Sequence, residues 1–168
     1  FEDCSSITSV TIPNSVTSIE FEAFGNCDGL ESVTIPESVT SFSCAFVACD
    51  SLTNITVDPT NPEYSSDENG VMFNKDKTIL VQYPAGNTRA SYVIPDSVSC
   101  IDQYAFCGNK NLKNITIGNN VHSIAYYSFV ACDSLESVTI GNSVVNINES
   151  FLRCKNLTNI TVDSANPS

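Results

Sequence analysis

Positive charge is scarce in this sequence: seven Lys and Arg stand against nineteen Asp and Glu, a net charge of −12. A chain this acidic is repelled by phosphate backbones and by anionic headgroups, so nucleic acid and bare membrane are poor partners. Long apolar runs are missing as well. None approaches the ~18 residues of a membrane-spanning helix, so no membrane insertion is expected. The sequence has no initiator Met, no basic opening segment and no signal-like apolar stretch. Catalytic signatures are equally thin. There is no G-x-S-x-G, no P-loop and no H-E-x-x-H, and His122 is the sole histidine. The expectation is therefore a protein that is not an enzyme and carries no cofactor. The eight cysteines include no C-x-x-C pair, which removes the usual thiolate metal spacing.

What is present is a repeat. With 42% hydrophobic and only 15% charged residues, the chain has the composition of a folded domain. Phe1, Cys4, Ile7, Val10, Ile12, Pro13, Val16 and Ile19 return as Phe24, Cys27, Leu30, Val33, Ile35, Pro36, Val39 and Phe42. The register restarts at Phe46, Phe106, Phe129 and Phe151, with nearly even spacing except for one long gap between Phe46 and Phe106. Within each unit L-x-x-V-x-I alternates and is rich in β-branched residues, which predicts a strand. Pro13, Pro36, Pro95, Gly118 or Gly141 stops it, and a second apolar pair follows on the return leg. No extended amphipathic helical pattern occurs. A unit of this length cannot close a core alone, so neighbouring units must bury its apolar side. The expected fold is a single solenoid over 1–168 with units starting near 1, 24, 46, 106, 129 and 151. Seven or so rungs at ~4.8 Å make a curved parallel sheet on the order of 30 Å long.

Six of the nine Phe hold the ladder position and are predicted core. Cys4, Cys27, Cys49, Cys132 and Cys154 form a second ladder, with Asn109 standing in once. Side chains stacked at one solenoid position have poor geometry for a disulfide, so these are expected to be buried free thiols. Cys44, Cys100 and Cys107 fall off the ladder, and their redox state stays open. Residues 58–92 form an island inside the third unit, with Val71–Phe73 and Ile79–Tyr83 predicted as a β-hairpin. Ile160 to Pro167 repeats the opening of that island (Ile55 to Pro62). Because Phe1 already lies inside a unit, the sequence is expected to be a fragment of a longer array.

F-x-x-C-x-x-L-x-x-V-T-I-P-x-S-V-T-S-I, together with N-G-V-M-F-N-K-D-K-T-I-L-V-Q-Y-P-A-G, resembles the BspA-like, or Treponema-type, leucine-rich repeats over essentially the whole chain. Ser15, Ser38, Ser97 and Ser143 replace the Asn or Cys of the ordinary leucine-rich pattern, as in this subclass. The resemblance implies a leucine-rich repeat solenoid, a right-handed horseshoe-type coil, β-rich with short turns, little helix and a parallel concave sheet. It also implies a cell-surface or secreted protein that binds host matrix or surface proteins, or glycans, in adhesion.

In the predicted strands V and I face the core, and the residue between them faces the concave side. That row reads Thr11, Thr34, Thr56, Thr116, Thr139 and Thr161, with Val93 in the island's unit. Beside it Glu31, Lys113 and Glu136 vary between otherwise identical rungs. The predicted ligand surface is Glu31, Thr34, Thr56, Lys113, Asn114, Thr116, Glu136 and Thr139. The competing explanation is that Thr is simply a good exposed strand residue, in an array that serves as a spacer with no ligand of its own. Asn54, Asn114, Asn148 and Asn159 start N-x-S/T sequons, which the strand periodicity itself can generate. Asp67–Gly70 has the composition of a Ca²⁺ loop without its alternating spacing, and is expected to be a plain turn rather than a metal site. His122 replaces Thr17, Thr40, Ser99 or Val145 of other units and is expected to be exposed. Uncapped ends make end-to-end association of the fragment an expectation too.

Overall fold

The computed structural model describes residues 1–166. Pro167, the last residue of the match to the island's opening, lies outside the described residues. Among the described residues there are fourteen strands, numbered in chain order, and no helix. The L-x-x-V-x-I segments form the first leg of each rung: β2 (Ser32–Ile35), β4 (Asn54–Val57), β8 (Ser91–Val93), β10 (Asn114–Ile117), β12 (Ser137–Ile140) and β14 (Asn159–Val162). Within each sheet they pair in parallel and in register, Thr116 against Thr139 and Thr139 against Thr161. Alternation does what the pattern demands: Val33 and Ile35 are buried while Ser32 and Thr34 are exposed.

The return leg is also a sheet. Short strands β1 (Ser18–Ile19) and β3 (Ser41–Phe42) pair with each other. β9 (Cys100–Ile101), β11 (Ser123–Ile124) and β13 (Asn146–Ile147) stack in the same way. Between the legs the turns pass through the left-handed region at two recurring positions. One immediately precedes the cysteine ladder (Asp3, Asn26, Ala48, Gly108, Ala131, Arg153), and the other lies two residues before the ring ladder (Glu22, Cys44, Tyr104, Tyr127, Glu149). These reversals break any helical run and fold ring and thiol inward.

Residues 58–92 are part of the stack rather than an outgrowth from it. β5 (Tyr64–Ser66), β6 (Met72–Asn74) and β7 (Ile79–Gln82) form an antiparallel meander, and β7 then pairs in parallel with β9. The third strand, β5, is additional to the two predicted. The apolar runs in β6 and β7 are buried on both faces, which is why they read as continuous. Met72 and Val81 join the N-terminal core, while Phe73 and Leu80 join the C-terminal one. The meander is thus the seam between two half-cores. It also divides the first-leg sheet, so the single continuous sheet expected is two, β2–β4 and β8–β10–β12–β14.

The ring ladder contains a member that the repeat pattern hides. Tyr83 stacks on Phe106 with centroids 4.7 Å apart, Phe106 on Phe129 at 4.6 Å, and Phe129 on Phe151 at 4.8 Å. Tyr83 N donates to Ala105 O just as Phe106 N donates to Ser128 O, both at 2.7 Å. Tyr83 therefore heads a rung of its own, one full unit before Phe106. All eight cysteines are free. Each ladder thiol below the first bonds the carbonyl of the preceding ring: Cys27 to Phe1, Cys49 to Phe24, Cys132 to Phe106 and Cys154 to Phe129, at 3.0–3.2 Å. Asn109 fills the same place by donating to Ala85 O and accepting from Leu112 N. Asn166 donates to Gly141 O and Val144 O, as Asn61 donates to Pro36 O and Val39 O, so the sequence match between those segments extends to their bonding.

Burial pushes the thiols of Cys44, Cys49 and Cys107 from 9.0 up to about 12, and the Tyr83 phenol from 10.0 to about 12. A folded value above the unfolded one stabilises the fold fully below the unfolded value and is lost as pH climbs through the folded one. Stability is therefore expected to fall between about pH 9 and about pH 12, read as a progressive loss of circular dichroism over that range. Circular dichroism that stays unchanged through this whole range would contradict this.

Candidate functional site

The outward row of the first-leg strands forms a ledge in two parts. Thr34 and Thr56 sit opposite each other on β2 and β4. Val93, Thr116, Thr139 and Thr161 follow one another across β8, β10, β12 and β14. All are exposed, and Val93 has 65% of its surface free. The ledge is rigid because the alternate residues Ile115, Ile117, Val138 and Ile140 are buried beneath it. Along the C-terminal part runs a groove of about 520 Å³, with Thr116, Thr139 and Thr161 as its floor and Asp96 and Asp163 at its rim. Gly118 and Gly141 shape that rim. A Cβ on Gly141 would lie 2.6 Å from the backbone of Gly118, so a side chain there would push the rungs apart.

Each predicted ligand residue has a definite place. Lys113 and Glu136 are exposed and joined across adjacent rungs at 3.1 Å. Asn114 donates to Ser91 Oγ at 3.4 Å. Glu31 is exposed, and its carbonyl accepts from Thr53 N and Thr53 Oγ1. Thr56 Oγ1 accepts from Asn54 Nδ2 at 2.8 Å. The structure brings Lys113, Asn114, Thr116, Glu136 and Thr139 onto one sheet and leaves Glu31, Thr34 and Thr56 on the other, across the seam. His122 is exposed. The Asp67 carboxylate is occupied by its own turn, accepting from Asn69 N, Asn69 Nδ2 and Val71 N. Among the described residues no three His, Cys, Asp or Glu side chains are grouped to hold an ion.

Sequence reasoning passed over Arg89. Once Tyr83 is placed on the ring ladder, Arg89 falls where Leu30, Leu52, Leu112 and Leu135 fall in other units. Those leucines are fully buried, whereas Arg89 is exposed. Counting one repeat unit back from Phe106 was the signal that could have found it.

A β-solenoid with no helix among the described residues, its repeat strands stacked in parallel on both legs, is here built from leucine-rich repeats. The chain belongs to the BspA-type leucine-rich repeat family, six copies of which match residues 1–76 and 85–167. The unmatched 77–84 covers β7 and Tyr83, where the meander enters the stack. The fold is similar to that of the pneumococcal vaccine antigen PcpA (TM-score 0.73, 26% identity, 89% of this chain and 43% of that one). It is also similar to a leucine-rich cell surface protein from Faecalibacterium prausnitzii (TM-score 0.67, 26% identity, 96% and 55%). A leucine-rich repeat protein from Eubacterium ventriosum matches at TM-score 0.58 and 25% identity, over 79% and 48%. The chain spans about half the length of these structures. No curated protein matches it. Repeats of this family are generally protein-interaction modules and typically non-enzymatic scaffolds. No helix among the described residues is long and apolar enough to cross a membrane.

Proposed function

We propose that this chain is a protein-binding adhesion module, displayed at a cell surface or secreted, that engages a host or neighbouring-cell protein through its ledge without catalysis and without a metal. The observation that carries this reading is the in-register row Val93–Thr116–Thr139–Thr161, exposed along a groove and held by a buried layer. An extended, rigid, mildly polar strip with one large apolar side chain suits a protein surface better than a small molecule. The surface location named for the F. prausnitzii relative supports the same reading.

One observation favours the spacer alternative. Lys113 and Glu136 neutralise each other, so the charges that vary between rungs are partly spent within the array. Saturable binding to a panel of immobilised matrix proteins at near-physiological salt, with Lys113→Glu alongside, separates the two. The substitution faces Glu136 with a like charge across rungs. Because an exposed pair is worth only ~0–1 kcal/mol, the fold is expected to hold. Dose-dependent binding weakened in the variant is the expected result. A flat response across the panel would favour the spacer.

A further inference from the structure

The repeat fails most abruptly at Arg89, and there the surface opens into a polar notch of about 320 Å³, distinct from the ledge groove. Three segments remote in sequence wall it: the start of β4 (Thr53, Asn54), the 67–70 turn (Glu68, Asn69) and the 87–89 segment (Asn87, Arg89). The walls are built for their positions. Asp67 accepts three hydrogen bonds from the turn that carries Glu68 and Asn69. Gly70 has φ +74° and lies so close to β4 that a Cβ would sit 2.8 Å from Asn54 Cα. Asn87 is 6% exposed and ties two walls together, donating to Asn69 O at 3.2 Å and accepting from Arg89 N at 3.1 Å.

Two buried tyrosines belong to the same repeat unit as Arg89, although neither lines the notch. Tyr83 and Tyr92 meet edge to face at 4.9 Å and are 0% and 7% exposed, and neither hydroxyl has a hydrogen-bond partner.

The chemistry of the notch is specific. Arg89 presents a planar fork of donors and has no carboxylate within 4 Å among the described residues, whereas Lys110, Lys113 and Lys155 each hold one. Asn54 and Asn69 each spend one amide hydrogen, on Thr56 and Asp67, and keep a second as a donor, while the Glu68 carboxylate supplies acceptors. Donors and acceptors around one notch match neighbouring hydroxyls, each of which gives and takes a hydrogen bond. The net charge of −12 and Glu68 itself disfavour an anionic ligand. The volume, at the small end of ligand pockets, suits one sugar ring and not a peptide strand. We propose that this notch binds a single neutral hexopyranose unit through its hydroxyl groups.

The test is saturation-transfer NMR on the whole chain with D-glucose, D-galactose, D-mannose, N-acetyl-D-glucosamine and D-glucuronate. At least one neutral sugar is expected to bind saturably, in the millimolar range. Arg89→Leu installs the leucine that Leu30, Leu52, Leu112 and Leu135 supply in other units, so it keeps the fold while weakening that sugar by roughly tenfold or more. Glu68→Gln tests the opposite wall and is expected to weaken it several-fold. Thr139→Lys, on the ledge, is expected to leave sugar binding unchanged, which separates this site from the protein-binding surface. Absence of neutral-sugar binding, a preference for glucuronate, or equal binding by Arg89→Leu would each overturn the proposal.

Discussion

Replacing Phe106 by alanine is expected to cost about 3–5 kcal/mol, the range for emptying a fully buried aromatic site. Phe106 is 0% exposed and is stacked on both sides, on Tyr83 at 4.7 Å and Phe129 at 4.6 Å. In a solenoid each rung leans only on its neighbours, so a cavity here weakens the interfaces on both sides of one rung. Set against the roughly 5–15 kcal/mol that holds an ordinary domain together, such a loss is large. The C-terminal core is expected to open first, because Phe106 belongs to that cluster and not to the N-terminal one around Phe24 and Phe46. Urea unfolding combined with hydrogen exchange checks both statements. A loss below about 1 kcal/mol would mean the ladder is not the spine described here. Phe1→Ala is the control: that ring is 73% exposed and stacks only on Phe24, so its loss is expected to cost far less.

Asn109→Ala is expected to cost about 2–4 kcal/mol by a different route, since it orphans buried backbone groups on two rungs. The side chain donates to Ala85 O at 3.0 Å and accepts from Leu112 N at 2.7 Å and Asn111 N at 3.0 Å. Asn109→Cys gives an intermediate expectation. A thiol can reach the carbonyl of the preceding rung, as Cys132 reaches Phe106 O, but accepts only weakly from Leu112 N. Equilibrium unfolding should therefore rank asparagine above cysteine above alanine. An alanine variant within about 0.5 kcal/mol of the parent would show that water replaces the side chain without loss.

The parts of this fold that could be read from the sequence are those carried by strict periodicity. L-x-x-V-x-I gave the strands, and a Phe recurring once per unit gave the ring ladder, because a stack repeats each side chain's environment along with its spacing. Tyr83 escaped notice because its unit replaces the usual Cys, Leu and Val with Gly86, Arg89 and Tyr92, leaving only its distance from Phe106 as a clue. β5 was invisible for another reason: Tyr64-Ser65-Ser66 has no apolar alternation and becomes a strand by pairing with β6. The ledge could be read because alternation alone decides which residues point outward. The notch could not, since residues 53–54, 68–69 and 87–89 come together only once the meander is folded into the stack.

The measurement that bears most directly on the functional account compares stability and binding in one variant, Thr116→Lys combined with Thr139→Lys. Both residues are exposed on adjacent strands, in register. Their replacement, the like charges facing each other across the strands included, is expected to cost no more than about 1 kcal/mol in all, while placing two long charged side chains in the ledge groove. If the ledge is the binding surface, urea unfolding stays close to that of the parent and saturable binding to the matrix-protein panel is lost. Undiminished binding by a variant of parental stability would contradict the account and put the partner's contact elsewhere on the solenoid.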